Sequence, residues 1–383
     1  MHYLYITFLH FLPNFWPFAY FLSFLLQLLY YYNINYFCKC THNINGDIMR
    51  ITDFKKIYYE KDVVNYKRGK FLLNKYSDIP QTEIASHNNI PELRAYENKD
   101  FTKLKQYLIL GTRKTHKYNE NHKISDFLVP FTSSGCSAMC QYCYLVCNYN
   151  KCSYLRIFVN KEDILNNLIK NSQKYDRKTV YEIGSNSDLL LENIIDEDLQ
   201  ENIEYFFKSS NKGILTFPTK FNFVEPLLNI SSKDRLIPRM SLNPQDIITR
   251  FEIGTSSLVD RLHALNTLCE AGYSPYILIA PIILVENYKK HYEDLIITMK
   301  DILTKKAKKN ITFEIIFMTY SYIHDKINTE AFPNSTRLYS KELMASRGIG
   351  KYHYKDNVKE DARVFIEDLL NKNFKNYSIK YIV

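Results

Sequence analysis

Five of the eight cysteines, Cys136, Cys140, Cys143, Cys147 and Cys152, crowd into one short stretch of a chain otherwise poor in cysteine. Disulfide frameworks are spread along small secreted chains, so this clustering points to metal ligation in a reducing compartment. The first three have the spacing Cys136-x3-Cys140-x2-Cys143, within Ser134-Gly135-Cys136-Ser137-Ala138-Met139-Cys140-Gln141-Tyr142-Cys143-Tyr144-Leu145. Three thiolates on one tight loop can hold three irons of a 4Fe–4S cluster and leave the fourth iron open to a small chelating ligand. The competing chemistry is a zinc site completed by Cys147 and Cys152. Four-cysteine zinc sites usually draw on a second pair at a distance, and the sequence has no other C-x2-C. Cys38 and Cys40 lie in an N-terminal extension and receive no role, while Cys269 falls on the apolar stripe of an expected helix.

Such a loop needs a scaffold. From about residue 126, short apolar runs bounded by polar or turn residues alternate with amphipathic stretches. Strands are expected at Phe127–Phe131, Val180–Ile183, Ile214–Phe217, Arg239–Leu242, Tyr276–Ile282 and Phe313–Phe317. Asn160 is placed to cap a helix carrying Ile164, Leu165, Leu168 and Ile169 on one face. A helix from Ser256 sets Leu258, Leu262, Leu265 and Cys269 on one stripe and stops at Gly272, and another covers about 287–308. Six strand-helix alternations predict an α/β fold, a parallel sheet curled by right-handed crossovers into a partial (β/α)6 TIM-like barrel. Functional groups then belong at the C-terminal ends of the strands, and the cysteine loop follows directly on the first. A C-terminal β-hairpin/helix extension follows, with a turn at Gly348 and Gly350, a helix and a last strand. Three segments result: an apolar extension over 1–48, a mixed segment over 49–125 and the barrel with its extension over 126–383.

The 383 residues include 46% hydrophobic and 24% charged, which excludes a disordered chain, a collagen-like repeat or a disulfide miniprotein. Only 10 glycines occur, which argues against a glycine-rich phosphate loop. The net charge is +9, and residues 1–48 contribute only Lys39 and Asp47, which cancel. The excess of positive charge in the remainder favours a polyanionic partner. The run Tyr3 to Tyr32 is almost wholly apolar, long enough to span a bilayer, but interrupted by Pro13, Asn14 and Pro17. It lacks a basic leader and a small-residue cleavage site, and the pattern favours Met49 as the start of the folded protein. The expected location is cytoplasmic, with membrane anchoring only if residues 1–48 are translated.

The cysteine loop at the end of the first strand of such an array resembles the radical S-adenosylmethionine (SAM) superfamily. Residues from about 52 to 383 are similar, segment by segment, to the spore photoproduct lyase family. The likeness runs through Ile57-Tyr58-Tyr59-Glu60, Ser86-His87-Asn88, Leu110-Gly111-Thr112-Arg113-Lys114-Thr115 and Cys140-Gln141-Tyr142-Cys143-Tyr144-Leu145. It continues in Arg156-Ile157-Phe158-Val159-Asn160, Arg250-Phe251-Glu252-Ile253-Gly254-Thr255-Ser256-Ser257, Ala280-Pro281-Ile282 and Gly348-Ile349-Gly350-Lys351-Tyr352. The resemblance implies a lyase that uses a 4Fe–4S cluster and SAM to generate a 5′-deoxyadenosyl radical. That radical takes a hydrogen from carbon 6 of a bridged thymine pair in DNA; the bridge breaks, hydrogen is returned and SAM is re-formed.

The resemblance also implies roles for residues. Cys136, Cys140 and Cys143 match the metal ligands, and Tyr142 and Tyr144 match two tyrosines linked to hydrogen return. Ser187, Asp188, Lys220 and Ser241 fall where the SAM pocket is expected, with Tyr142 beside them. Where many members carry a hydrogen-donating cysteine after the second strand, this chain has Ser185. An O–H bond is much stronger than an S–H bond, so serine is a poor hydrogen-atom donor, and Cys147 is the nearest substitute in sequence. The implied partners are damaged double-stranded DNA and a one-electron reductant of the flavodoxin or ferredoxin type, with no stable protein partner. Ser185 leaves open a radical SAM enzyme of the same fold acting on another substrate, and the zinc reading leaves open a non-catalytic DNA-binding protein. The basic run Arg113, Lys114, His116 and Lys117 and the turn Ser346–Lys351 are candidates for contact with DNA, and His87 is either a site residue or, as the pattern favours, a surface or capping residue.

Overall fold

The structure, a computed structural model, describes residues 52–383 in full and, before them, the backbone of Thr41–Ile44 and Asp47–Arg50. Those two strands pair antiparallel, Thr41 opposite Arg50, so Met49 lies on the second of them. The apolar run, Cys38 and Cys40 lie outside the described residues. Thr52–Val383 is one compact unit.

Its centre is a curled half-barrel sheet of seven parallel strands: β1 (Phe127–Leu128), β2 (Thr179–Glu182), β3 (Gly213–Thr219), β4 (Leu236–Leu242), β5 (Tyr276–Ile282), β6 (Ile311–Phe317) and β7 (Tyr377–Ile382). Each lies beside the next in the chain, and Asn119–Glu120 adds a short antiparallel edge beside β1. Parallel strands are covered on both faces and therefore read as continuous apolar runs. Leu215, Phe217, Met240, Leu242, Ile277 and Ile279 are all buried.

Helices return the chain between strands: α1 (Lys161–Ser172), α2 (Leu189–Asp196), α3 (Leu199–Ser209), α4 (Gln245–Phe251), α5 (Leu258–Glu270), α6 (Tyr288–Ile302), α7 (Tyr322–Ala331) and α8 (Asp356–Asn373). The expected stripes face inward: Ile164, Leu165 and Leu168 on α1 and Leu258, Leu262 and Leu265 on α5 are buried. Among the described residues, no helix is long and apolar enough to cross a membrane.

Three details differ from the sequence reading. Strand β1 stops at Leu128 rather than Phe131, and the chain then turns off toward the cysteine loop. Asn160 precedes α1 but does not cap it with its side chain. Its amide instead grips the backbone of Arg113, accepting from the N–H at 2.8 Å and donating to the carbonyl at 2.9 Å. Arg113 itself turns inward, donating to the carbonyls of Phe131 (2.9 Å) and Ser133 (3.3 Å), with its guanidinium over the Phe158 ring. It is a tie between segments rather than a free cation for phosphate.

A second sheet is built mostly from residues before the barrel. Its order is Gln81–Ile84, Lys56–Glu60, Tyr107–Gly111, Arg156–Phe158 and Ser133–Ser134, parallel except for the last pair. It thus joins residues on both sides of position 125 and carries the approach to the cysteine loop. His87 is packed edge-on against Phe158 and bonds the Glu60 carboxylate through Nδ1 at 2.8 Å. Burial opposes ionisation of Glu60, but bonds from His87 and the Thr112 N–H outweigh it and hold the carboxyl at about 2.

One further ionic cluster is structural. The Glu192, Asp196 and Asp198 carboxylates lie within 4.8 Å of one another. The buried Lys161 ammonium bonds all three, and Arg68 bonds Asp196 and Asp198 from outside. The positive charges a metal would supply are therefore already in place.

Candidate active site

The cysteine loop is pinned at several points by backbone bonds. Gly135 enters it at φ +81°, and a Cβ there would lie 1.9 Å from the Tyr154 carbonyl oxygen, so glycine is required. The Gly135 N–H donates to Asn186 (2.8 Å) and the Cys136 N–H to Ser153 (3.1 Å). Met139 and Cys140 pair antiparallel with Ile253 and Glu252. The loop ends in the short helix Leu145–Tyr149. From behind, α7 grips it twice: the Asn328 amide donates to the Gln141 carbonyl at 2.7 Å, and His324 Nε2 to the Cys143 carbonyl at 3.0 Å.

Cys136, Cys140 and Cys143 all face one cavity of about 280 Å³ at the C-terminal ends of β2 to β6. Among the described residues, only Glu192, Asp196 and Asp198 bring three such ligand atoms within 4.8 Å of one another. The three loop thiols are therefore spread more widely than ligands around one zinc ion, whose Zn–S bonds are roughly 2.3 Å. Burial raises all three thiols above the ordinary range, Cys136 to about 12. Without a metal to replace the proton, thiolate in this setting is costly.

The zinc alternative loses its other two ligands. Cys147 is turned to Ser321 Oγ (3.5 Å) and the His324 ring (3.8 Å to Nε2), outside the cavity. Cys152 is packed in an apolar cluster with Tyr58, Leu93, Leu104, Ile109 and Tyr154. Three soft, widely set thiols around one cavity, Cys140 buried and Cys136 and Cys143 half-buried, fit a 4Fe–4S cluster with one iron free.

The rest of the cavity wall is polar at chosen points. Lys220, just past β3, sends Nζ to Ser241 Oγ at 2.9 Å and toward the Ala280 carbonyl at 3.5 Å. Among the described residues no carboxylate forms an ion pair with it, although the Glu252 and Asp188 charges lie in its field, and it lines the cavity where a ligand acid group would sit. Ser241 is held by donating to Ala280 O at 3.0 Å. Asp188 lines the cavity, yet its oxygens are committed to protein donors. They accept from the Leu190 and Leu191 N–H groups at the start of α2, from Thr219 Oγ1 (2.9 Å) and from the Lys220 N–H (2.9 Å). It locks the ends of β2 and β3 together. Ser187 bonds Ser133 at 2.5 Å.

Tyr142 and Tyr144 flank Cys143 but differ in setting. The Tyr142 phenol donates to Glu252, a fully buried carboxylate that also accepts from Asn243 (2.7 Å) and Arg261 (2.6 Å). Burial and that carboxylate push the Tyr142 phenol well up. Burial opposes the Glu252 charge too, but Arg261 and Lys220 prevail and keep its carboxyl below the usual range. Tyr144 is 50% exposed, and its hydroxyl has no protein partner among the described residues. Ser185 also faces the cavity, with its hydroxyl donating to Glu182 at 2.9 Å. Glu182 is paired with Arg239, which is in turn bound to Glu314 and, through it, to Tyr381 across the barrel interior.

The cavity thus brings together every expected residue except Cys147. Glu252 and Arg261, which hold Tyr142, and Lys105, which lies under Cys136, were not expected from the sequence. An acid and a base nine positions apart, and one lysine among many, carry no periodic signal.

A family model described as spore photoproduct lyase matches residues 53–383. The spore photoproduct lyase of Bacillus subtilis (strain 168) is 30% identical over 338 residues, covering 85% of this chain and 97% of the relative. That of Clostridium acetobutylicum is 30% identical over 342 residues, covering 86% and 99%. A solved spore photoproduct lyase complexed with dinucleoside spore photoproduct superposes with a TM-score of 0.80 at 26% identity, over 87% of this chain and 100% of that one. A doubly substituted spore photoproduct lyase with bound AdoMet and dinucleoside spore photoproduct gives 0.79 at 26%, over 86% and 99%. With the thiol-lined cavity at the mouth of the half-barrel and these matches over nearly all of Thr52–Val383, the chain belongs to the spore photoproduct lyase family.

Proposed function

We propose that this chain is a radical SAM lyase that restores the spore photoproduct thymine dimer in DNA to two thymines. The observation that carries the reading is the single cavity shared by three thiols, a lysine with no ion-pair partner among the described residues and two tyrosines. When bound, the cluster and SAM would supply the one-electron radical chemistry that opens the bridged thymine pair. Cys136, Cys140 and Cys143 hold the irons. Lys220 offers a point charge to the SAM carboxylate, with Ser241 fixing the ammonium. Asp188 keeps Lys220 in register through its backbone N–H, and Tyr142, locked by Glu252, forms a rigid wall.

Hydrogen return is where this chain departs from many relatives. The Ser185 hydroxyl is engaged by Glu182 and that of Tyr142 by Glu252. The unengaged phenol facing the cavity is Tyr144, and Cys147 is outside the cavity lining, against Ser321 and His324. Atom transfer needs reacting atoms within about 3–3.5 Å, which favours Tyr144 over Cys147. Ser185→Cys is therefore expected to lower the 5′-deoxyadenosine released per dimer repaired. Tyr144→Phe should raise that ratio by more than Cys147→Ala does. An unchanged ratio in Ser185→Cys together with a sharp rise in Cys147→Ala would make Cys147 the donor instead.

Damaged double-stranded DNA is the proposed partner, reached through the hairpin Met344–Ser346 and Lys351–Tyr354. It pairs with Thr319–Ser321, which follows directly on β6 at the cavity rim. Gly348 and Gly350 take φ +113° and +63°, and Ile349 between them is 98% exposed. An apolar tip at a cavity that must receive paired bases suits a wedge that unstacks them. Ile349→Asp is expected to slow repair of the lesion in duplex DNA and leave repair of the free dinucleoside unchanged; equal losses on both substrates would remove the wedge role. The excess of positive charge predicts that duplex affinity falls steeply with salt, and a flat salt dependence would count against a DNA substrate. The reductant is proposed to be a flavodoxin or ferredoxin, and the location, with DNA as substrate, cytoplasmic.

A further inference from the structure

Beneath the cysteine loop lies a charge that none of the roles above uses. Lys105 follows the short helix Phe101–Leu104, in the segment before the barrel, and is 4% exposed. Its ammonium donates to the Cys136 carbonyl, the Ser153 carbonyl and Ser153 Oγ, each at 2.9 Å. All three of its protons are thus satisfied, but only by neutral oxygens, and the Phe101 ring packs 4.6 Å away. Among the described residues no carboxylate forms an ion pair with it, whereas the equally buried Lys161 has three. A buried ammonium without an anionic partner is expensive. Burial pulls the Lys105 ammonium down to about 8, and the thiols of Cys136, Cys143 and Cys140, once ionised, are the charges that oppose that fall.

We propose that Lys105 is the built-in counter-charge of the cluster, seated under the first ligand to favour the reduced state. A 4Fe–4S cluster on three thiolates is net negative when oxidised and more so when reduced. A fixed positive charge in a low-dielectric site therefore stabilises the reduced form more, raising the reduction potential. One electron arrives from the external reductant and resides on the cluster; no proton or bond changes at Lys105. Lys105 is a positioning residue, since its contact is with the Cys136 backbone. The proposal gives the segment before the barrel a part in the chemistry, and it rests on the reading of the loop as a cluster site.

The test uses the full chain, reconstituted anaerobically, with Lys105→Gln and Lys105→Met. Gln removes the charge and keeps a donor toward Cys136 and Ser153; Met removes both. The midpoint potential is read by a redox titration followed by electron paramagnetic resonance, and the stability of the metal-free protein by thermal unfolding. Both variants are expected to load the cluster and to shift its potential to more negative values. The metal-free Gln variant should unfold no earlier than the metal-free parent, because a costly unpaired charge is gone while a donor remains; Met, which strips these oxygens of their donor, is expected to unfold earlier. An unchanged potential in a fully loaded Gln variant overturns the proposal. So does a Gln variant that unfolds well before the parent or fails to load, since Lys105 would then be a structural tie. A parent protein that binds no cluster would fail the underlying reading instead, and its iron and sulfide content decides that separately.

Discussion

Replacing any one of Cys136, Cys140 or Cys143 by Ala is expected to abolish both the intact cluster and SAM cleavage. The reason is ligand count. The three thiols face one cavity, and the other two cysteines near them are turned elsewhere, Cys147 toward His324 and Cys152 into the apolar cluster. No spare thiol can replace a lost ligand, and two thiolates cannot hold a cluster with one iron free. Iron content, the broad charge-transfer absorption of cluster-thiolate ligation and 5′-deoxyadenosine production should fall together to background. Cys147→Ala and Cys152→Ala, by contrast, should keep the full iron content. Undiminished SAM cleavage in Cys140→Ala would contradict the assignment.

The second large effect is on stability. Arg261 is fully buried; it donates to Glu252 at 2.6 Å, to the Ser256 and Ser241 carbonyls at 2.9 Å each, and to Thr255 Oγ1 at 2.6 Å. Glu252 in turn holds Tyr142 and pairs through its backbone with Cys140. Removing one member strands the other as an uncompensated buried charge, at a cost of about 3–5 kcal/mol. Arg261→Met is expected to destabilise the protein by that amount in denaturant titration and to loosen the Tyr142 side of the cavity. Glu252→Gln keeps one acceptor for Arg261 but removes its counter-charge and turns an NH2 toward another donor, so it too is expected to destabilise the protein. If Arg261→Met is as stable as the parent, the network is not what holds the loop against the barrel.

The sequence exposed the barrel because parallel strands buried on both faces read as apolar runs: β5 falls on its expected run, β3, β4 and β6 extend theirs, and β2 is shifted by one residue. It exposed the cysteine loop because ligand spacing is local. What it could not expose is long-range polar pairing. Asn160 has the residue type and position of a helix cap, yet its amide serves Arg113, which lies far back in the chain. Arg113 sits in a basic run and is nonetheless drawn inward by two carbonyls. The segment over 49–125 resisted reading because its strands are short, Lys56–Glu60 and Gln81–Ile84 being only partly buried, and only Tyr107–Gly111 is apolar throughout. Lys105 stands directly before that strand, and nothing in its neighbours marks it as buried. Cys147 follows the ligands in sequence, but on the helix Leu145–Tyr149 it meets Ser321 and His324 rather than the cavity.

The most direct test of the function is turnover on the lesion. The reconstituted protein, reduced with dithionite, is incubated with SAM and an oligonucleotide carrying the spore photoproduct, and restored thymines are counted by chromatography. Restoration of two thymines per lesion, dependent on SAM and on reductant, is the predicted result. SAM cleavage with the lesion left intact would contradict it, keeping the cofactor chemistry and excluding this substrate.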